Sequence, residues 1–219
     1  MANVVIFGNS ETAQLARYYL DNDSNHSVVA FTVNRDYLAG NAEFDGLPLV
    51  AFEDIQQLYP PDSNKFFAPL TAIRMNQVRA DIYAKAKSAG YQCVSYISSR
   101  ATVLSESIGE NCFILEDNTI QPFVTIGDNV VLWSGNHIGH HSTLESHSFI
   151  SSQVVVCGMC HIGEFSFLGV NSSIRDRVTV ATGSFICMAS AVTQDTLAWK
   201  SYAGNPARQL NKDSLDMIL

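Results

Sequence analysis

The sequence predicts a small parallel α/β unit followed directly by a parallel β-helix. Two patterns carry that expectation. Strand and helix signals alternate through residues 1–96, as in a small parallel sheet with crossover helices. From Ile108 to Val192 an aliphatic residue then recurs at every sixth position. That period fits neither a helix of about 3.6 residues per turn nor the alternation of a simple strand.

In the first part, Val4-Val5-Ile6-Phe7 is an apolar run ending at Gly8, a strand and its turn. A helix follows from about Glu11 to Leu20, with Leu15, Tyr18 and Tyr19 among its apolar positions. Val28 to Val33 is rich in β-branched residues and reads as the second strand. Leu47-Pro48-Leu49-Val50 with Phe52 suggests a short edge element, and a helix follows near Glu53 to Leu58. Phe66-Phe67-Ala68 reads as a third strand. Met75 to Ala89 reads as a helix stopped by Gly90, and Gln92 to Tyr96 as a return to strand.

In the second part the aliphatic series Ile108, Ile114, Ile120 and onward to Val192 runs for fifteen positions without a miss. Four residues after each of the first fourteen stands a mostly small residue, from Cys112 and Asn118 to Ser184 and Ser190. A chain that turns a corner after each short strand has this pattern. The aliphatic side chain points inward as a stacked ladder, and the small one fits the next corner. Asn118 and Asn136 are both inward and eighteen residues apart, and are expected to stack as a buried amide ladder.

Bulk composition narrows the function. The charge, 13 − 21 = −8, speaks against binding a nucleic-acid backbone. The first residues lack a basic segment followed by a long apolar one, so no secretory signal is expected. No apolar run is long enough to span a bilayer, so no membrane insertion is expected. Five scattered cysteines, an odd number, suggest no disulfide framework and a reducing, cytoplasmic setting.

Candidate chemistry concentrates in the repeat. His137, His140 and His141 fall within five residues, and His147 and His161 follow. An imidazole titrates near working pH and suits a general base. The same histidines offer a zinc-ligand reading, through His137, His140, His141 and His161, and a reading as solvated corner residues. Cys157-Gly158-Met159-Cys160 is a lone CxxC with Cys160 in an inward small-residue slot, which favours structure over metal or redox chemistry. No Lys or Arg occurs from Ala101 to Ile174, whereas Arg175, Arg177, Lys200, Arg208 and Lys212 follow. Such a local basic patch suits a phosphate-bearing ligand, or is ordinary surface. Gly8-Asn9-Ser10 sits between a strand and a helix, where backbone N–H groups suit a phosphate. Ser10 and Ala13 break the dinucleotide fingerprint. Asn34 and Arg35 follow the second strand.

Four segments carry a family resemblance: Phe7-Gly8-Asn9-Ser10, Ile97 to Val103, Gly135 to His141, and Ala203-Gly204-Asn205-Pro206-Ala207-Arg208. With the repeat, they resemble the hexapeptide-repeat sugar acetyltransferases of the sialic-acid O-acetyltransferase and bacillosamine-pathway N-acetyltransferase type. The resemblance implies a Rossmann-like nucleotide-sugar-binding domain at 1–96, with Gly8-Asn9-Ser10 at the nucleotide-sugar phosphates. The acid usual after the second strand is absent, leaving Asn34 to bond a ribose or uracil edge and Arg35 a phosphate. A left-handed parallel β-helix with a short C-terminal extension would follow at 97–219, in a homotrimer. It implies transfer from acetyl-CoA or another acyl-CoA, a cosubstrate and not a resident cofactor, with no metal. The acceptor would be the amine of a nucleotide-linked 4-amino-4,6-dideoxy sugar, or alternatively a hydroxyl of a sialic acid or other free sugar. A zinc-dependent β-helix hydratase and a non-catalytic scaffold are the readings from other classes. By alignment His140 is the base and His137 the alternative. The acid usual beside that base is absent, leaving His141, a backbone carbonyl or a neighbouring subunit's acid as the orienting group. Gly158 and Val170 match the acyl-CoA groove, Gly204 and Ala207 the closing motif, and Arg175, Arg177 and Arg208 supply charge. The Gly158 N–H is the candidate oxyanion donor. Trp133 lines the acceptor pocket or packs a subunit interface. The resemblance also implies synthesis of a capsule, lipopolysaccharide or glycoprotein glycan.

Overall fold

The computed structural model describes residues 2–217. Its first part contains β1 (Ala2–Phe7), β2 (His26–Val33), β3 (Glu43–Phe44), β4 (Leu47–Ala51) and β5 (Asn64–Phe67). They form one sheet in the order β3-β4-β2-β1-β5. All neighbours are parallel except β3, which folds back against β4. Helix α1 (Glu11–Asn22) joins β1 to β2, α2 (Ile55–Leu58) follows β4, and α3 (Gln77–Ser88) follows β5.

Two sequence expectations change here. Helix α1 buries Ala13, Ala16 and Leu20, while Leu15 is half-buried and Tyr18 is 62% exposed. Small residues at helical spacing let the helix lie close to the sheet, which pushes the larger side chains outward. The strand expected over 92–96 does not form. Cys93 makes one isolated bridge to Phe66, and Tyr96–Ile97 pairs instead with Phe113–Ile114 of the β-helix. Tyr96 is buried against Tyr19 and Phe113, which draws the chain off the first sheet.

From Tyr96 on, two-residue strands stack into three parallel faces, and from Ser107 to Ala191 they recur every six residues. Face I carries Thr119, His137, Val155 and Ser173 in register. Face II carries Thr125, Thr143, His161 and Thr179. Face III carries Phe113, Val131, Phe149, Phe167 and Phe185, and is extended by a hairpin of Lys200–Gly204 and Ala207–Asp213. All fourteen small positions are buried, as are the aliphatic ones except Ile108, which is half-buried in the open first coil.

The corners follow a rule of their own. From Asn111 to Ala189, every sixth residue has φ between +55° and +80°. Only Gly135 and Gly183 in that series are glycine. Each of the others occupies a conformation that costs an L-residue about 1–2 kcal/mol. The stacked coils above and below hold it there.

The expected Asn118–Asn136 ladder is replaced by bonds to backbone. Both side-chain NH2 groups donate to the Trp133 carbonyl, and Asn136 Oδ1 accepts from Val154 N–H at 2.7 Å. A side-chain ladder exists elsewhere. Asn111 donates to Asn129 Oδ1 at 2.7 Å, and Asn129 lies 2.9 Å from His147 Nδ1. Asn111 also bonds both backbone groups of Ala68, at the end of β5.

The sheet packs α1 and the side chains Val4, Ile6, Phe31 and Phe67 against face III. Its other side packs on α2 and α3 through Phe66, Ile55 and Ile82. A polar clamp fixes the two parts. Arg79 of α3 is fully buried and donates to the carbonyls of Asn129 and His147 and to Asn76 Oδ1. Burial pushes its ionisation below the ordinary guanidinium range. Asn76 donates to the Phe165 carbonyl at 3.0 Å. No helix among the described residues is long and apolar enough to cross a membrane.

Two predictions follow from this clamp. Arg79→Met keeps the aliphatic stem but strips the donors from buried carbonyls, so it should destabilise the fold by about 2–4 kcal/mol, read by thermal and urea unfolding. Beside it, burial and the Arg79 charge lower the His147 imidazole from 6.5 to about 4, against the attraction of Asp128. An unfolded His147 therefore binds a proton that the folded one refuses between those values. Stability should be full above about pH 6.5 and fall as pH drops toward 4, with His26 adding in the same direction. His147→Gln should flatten the dependence of Tm on pH in that window.

Candidate active site

The three faces meet at three vertices. Vertex 1, between faces III and I, contains residues 133–136, 151–154, 169–172 and 187–190. Vertex 2, between I and II, contains 121–124, 139–142, 157–160 and 175–178. Vertex 3, between II and III, contains 109–112, 127–130 and 145–148, and α3 packs on it through Tyr83–Asp128 and Lys87–Glu110.

Vertex 2 brings together His140, His141, Gly158, Arg175 and Arg177. His140 and His141 occupy the tip of one corner and are exposed. Their rings do not diverge as on an extended strand. The left-handed backbone of His141 (φ +58°) turns its ring toward His140, and the two Nδ1 atoms lie 3.0 Å apart. Phe123, one coil away at the same corner position, packs on the His141 ring at 4.7 Å between centroids. The His140 N–H donates to Gln121 Oε1 at 2.9 Å, which fixes the backbone beneath the ring.

Gly158 stands one coil on from His140. A Cβ built there would lie 2.9 Å from both Cε1 and Nε2 of His140. Glycine thus leaves the space into which the imidazole's Nε2 edge fits. The Gly158 N–H, read from sequence as an oxyanion donor, is already engaged: it donates to Asp176 Oδ1 at 3.0 Å. Asp176 is a further coil along and caps this corner, as Asp128 caps the Glu110 N–H. Counting eighteen from His140 to Gly158 and again to Asp176 would have found this carboxylate.

The other candidate residues lie elsewhere. Val170 is at vertex 1, where Gly204 N–H also bonds Ser190 Oγ at 3.2 Å. Ala207 and the exposed Arg208 follow on the C-terminal hairpin. A whole face therefore separates the Val170–Gly204 group from His140 within one chain. His137 lies on face I between Thr119 and Val155. His161 lies on face II, with its Nε2 3.0 Å from Glu145 Oε1. The four histidines of the zinc reading do not converge within one chain.

In the sheet, Gly8 ends β1 with φ +124°, and its missing side chain faces Ala13 and Leu70. Gly8 N–H is bound to the Thr32 carbonyl at 2.8 Å. Asn9 and Ser10 are exposed, and the Ser10 side chain does not cap α1. Asn34 is half-buried, while Arg35 is exposed and tied to Asp54 at 2.7 Å, its N–H held by Glu53. That ion pair raises the Arg35 ionisation.

Because β1 pairs with β2 on one side and β5 on the other, the carboxyl ends of β1 and β5 border a topological switch point. The segment after β5 supplies Leu70 to the Gly8 turn, and Thr71 and Ala72 to a groove of about 370 Å³. Trp133, Phe149, Phe167 and Val170 form its opposite wall. Trp133 thus faces this groove. Thr71 and Ala72 escaped sequence reading because nothing in a loop of that composition marks it as a wall.

A model of the bacterial transferase hexapeptide, six repeats, matches residues 107–140. No curated protein sequence matches the chain. Among solved structures, perosamine N-acetyltransferase from Caulobacter crescentus, in complex with CoA and GDP-perosamine, is 20% identical. That likeness covers 97% of this chain and 98% of that one, with a TM-score of 0.86. The acetyltransferase domain of PglB from Neisseria gonorrhoeae is 20% identical over 96% and 100%, at 0.83. WeeI from Acinetobacter baumannii is 20% identical over 96% and 100%, at 0.81. The fold is therefore a Rossmann-like α/β unit joined to a left-handed parallel β-helix.

The contact at Gly158 is directly testable. Gly158→Ala should displace the His140 ring, seen as a shift of its imidazole resonances in NMR, while Tm stays near that of the parent. Unchanged His140 resonances would contradict this seating of the ring.

Proposed function

We propose that this chain is an acyl-CoA-dependent sugar acyltransferase whose preferred acceptor is the amine of a nucleotide-linked 4-amino-4,6-dideoxy sugar. The observation that carries the reading is an exposed imidazole, His140, with its Nε2 edge seated in the side-chain space of Gly158. It stands on a fold seen elsewhere with CoA and a nucleotide sugar bound. No metal takes part.

The acyl-CoA lies between vertex 2 of one copy and vertex 1 of the next. That placement brings Gly158, Arg175 and Arg177 together with Val170, Gly204, Ala207 and Arg208, which one chain keeps apart. The arginines serve the pyrophosphate and 3′-phosphate. Cyclic repetition of one such heterologous contact closes a ring, and three copies make a homotrimer. The sugar occupies the groove of Trp133, Phe149 and Phe167, whose apolar wall suits a deoxy sugar better than a fully hydroxylated one. The Gly8-Asn9-Ser10 turn and Asn34 hold the nucleotide. A cytoplasmic location follows from the cosubstrate.

In the reaction, the amine nitrogen attacks the thioester carbonyl while His140 Nε2 removes its proton. The C–S bond breaks, and the proton passes to the departing sulfur. No covalent enzyme intermediate forms. His137, on face I, is not at the vertex where Gly158 stands and is the weaker base candidate.

One observation favours a second reading. Arg35 is neutralised by Asp54, so the nucleotide end lacks that free cation. A sialic acid or other free sugar carries no nucleotide phosphates, so its O-acylation would not call on Arg35 there.

Thiol release from acetyl-CoA, measured with UDP-, GDP- and dTDP-linked 4-amino sugars and with free sialic acid, separates these readings. Turnover on one amino sugar is expected, falling about 100-fold or more in His140→Ala. Turnover on sialic acid alone would transfer the assignment to O-acylation, and no thiol release with any acceptor would sink both.

A further inference from the structure

We propose that His141 is the positioning residue of the base, through a single proton held between the two Nδ1 atoms of His140 and His141. The inference rests on the role of His140 proposed above, and assigns the group that fixes its tautomer.

The geometry leaves few choices. Two imidazole nitrogens 3.0 Å apart form a hydrogen bond only if one carries a proton and the other a lone pair. When His140 Nδ1–H donates to His141 Nδ1, the remaining nitrogen of His140 is an unprotonated Nε2. That is the nitrogen beside Gly158. The opposite donation, from His141 to His140, would put the His140 proton on Nε2 and abolish its basicity there. The productive arrangement therefore needs His141 as an acceptor.

Three features hold His141 in that orientation. Its left-handed backbone turns the ring back along the corner. Phe123 packs against the ring at 4.7 Å with the two planes tilted by 37°, although Phe123 is itself 72% exposed. The Gln121 bond to His140 N–H keeps the two rings in step. The charged or titratable groups along the same vertex are Glu106 in the first coil, Cys157 and Cys160 in the next coil, and Arg175, Asp176, Arg177 and Asp195 beyond it. None of these is bonded to either imidazole among the described residues. Asp176 is engaged with Gly158.

The pairing shapes the proton step. When His140 Nε2 accepts the amine proton as the N–C bond forms, the pair carries one positive charge and three N–H bonds. One of them is still the bridging proton. The charge spreads over both rings through that bridge, and leaves when Nε2 returns its proton to the CoA sulfur. A second protonation would place N–H groups on both Nδ1 atoms and break the bridge.

The test uses the full chain. In 15N-labelled protein, long-range proton–nitrogen NMR should show His140 protonated at Nδ1 only, with one bridging proton, near neutral pH. His141→Phe keeps an aromatic contact with Phe123 but removes the acceptor. It should lose the bridging proton, and kcat should fall about 10- to 100-fold with KM for acetyl-CoA and Tm little changed. His141→Asn, which restores a carbonyl acceptor, should recover most of the rate. His141→Glu should move the acidic limb of kcat/KM to higher pH, because a carboxylate favours the protonated ring more than imidazole does. Parent-like kcat in His141→Phe, with His140→Ala inactive, would overturn the positioning role and leave the proposed function standing. Full activity in His140→Ala would overturn both.

Discussion

Every feature of the candidate site depends on one constraint, the stacking of each residue on the one eighteen positions along. Strands of two residues joined by corners of four leave the chain no freedom to slip, because each backbone N–H at a strand end meets a carbonyl in the next coil. A vertex is therefore a column of residues at fixed spacing. His140, Gly158 and Asp176 interact because of that arithmetic. The register also carries a cost, one left-handed residue at each corner. Each costs about 1–2 kcal/mol, and each corner is matched by an inward aliphatic residue whose burial contributes about 1.5–3 kcal/mol. The two are similar in size, so an unbroken ladder is what keeps the strained corners in place. Function can use those corners because the strain turns side chains such as His141 back along the surface.

The second constraint is the clamp between sheet and β-helix. A fully buried arginine without a carboxylate is costly unless its donors are used. Arg79 uses its two terminal nitrogens, which span carbonyls from successive coils with Asn76 as a neutral partner, while its Nε is buried without one. The Asn111–Asn129–His147 ladder adds a second tie, ending on Ala68 beside the groove segment. Residues Arg74, Met75 and Asn76 are all left-handed, with φ of 51°, 52° and 67°. Three such residues in a row persist only under tight restraint, and Met75 and Asn76 are fully buried. The wall formed by Thr71 and Ala72 is thus anchored at both ends, and the groove keeps its shape relative to the aromatic residues of face III.

Much of this was legible in the sequence, and the rest was hidden for definite reasons. The inward ladder shows because burial filters residue type at every sixth position. The left-handed series has the same period but stayed invisible. Its side chains point outward, so Asp117, Phe123, Arg177 and Ala189 share a backbone conformation and no chemistry. The Asn118–Asn136 pair looked like a ladder by spacing alone. Their amides found the carbonyl of Trp133 nearer than each other. Gly158 was found as a position but not for its space: its missing side chain leaves room for the His140 ring, while its N–H is held by Asp176. Arg79 gave no signal, because one arginine on an amphipathic helix is ordinarily a solvated one.

The distribution of residues around the prism bears on assembly. The α/β unit covers face III and vertex 3, so the groove opens toward vertex 1. His140 stands at vertex 2, across face I from it. No rotation of side chains within one chain carries an acceptor in the groove to Nε2 of that chain's own His140. The proposed chemistry therefore requires a second copy that presents vertex 2 to the first copy's groove. The exposed apolar residues Phe123, Val155, Met159, Val170 and Met188 lie on vertices 1 and 2 and on face I between them. Burying that strip against another copy would remove apolar surface from water and build the groove for the acyl-CoA in the same contact. The interface and the site would then be one structure, and a subunit alone would have the parts of a catalyst without a place for the reaction.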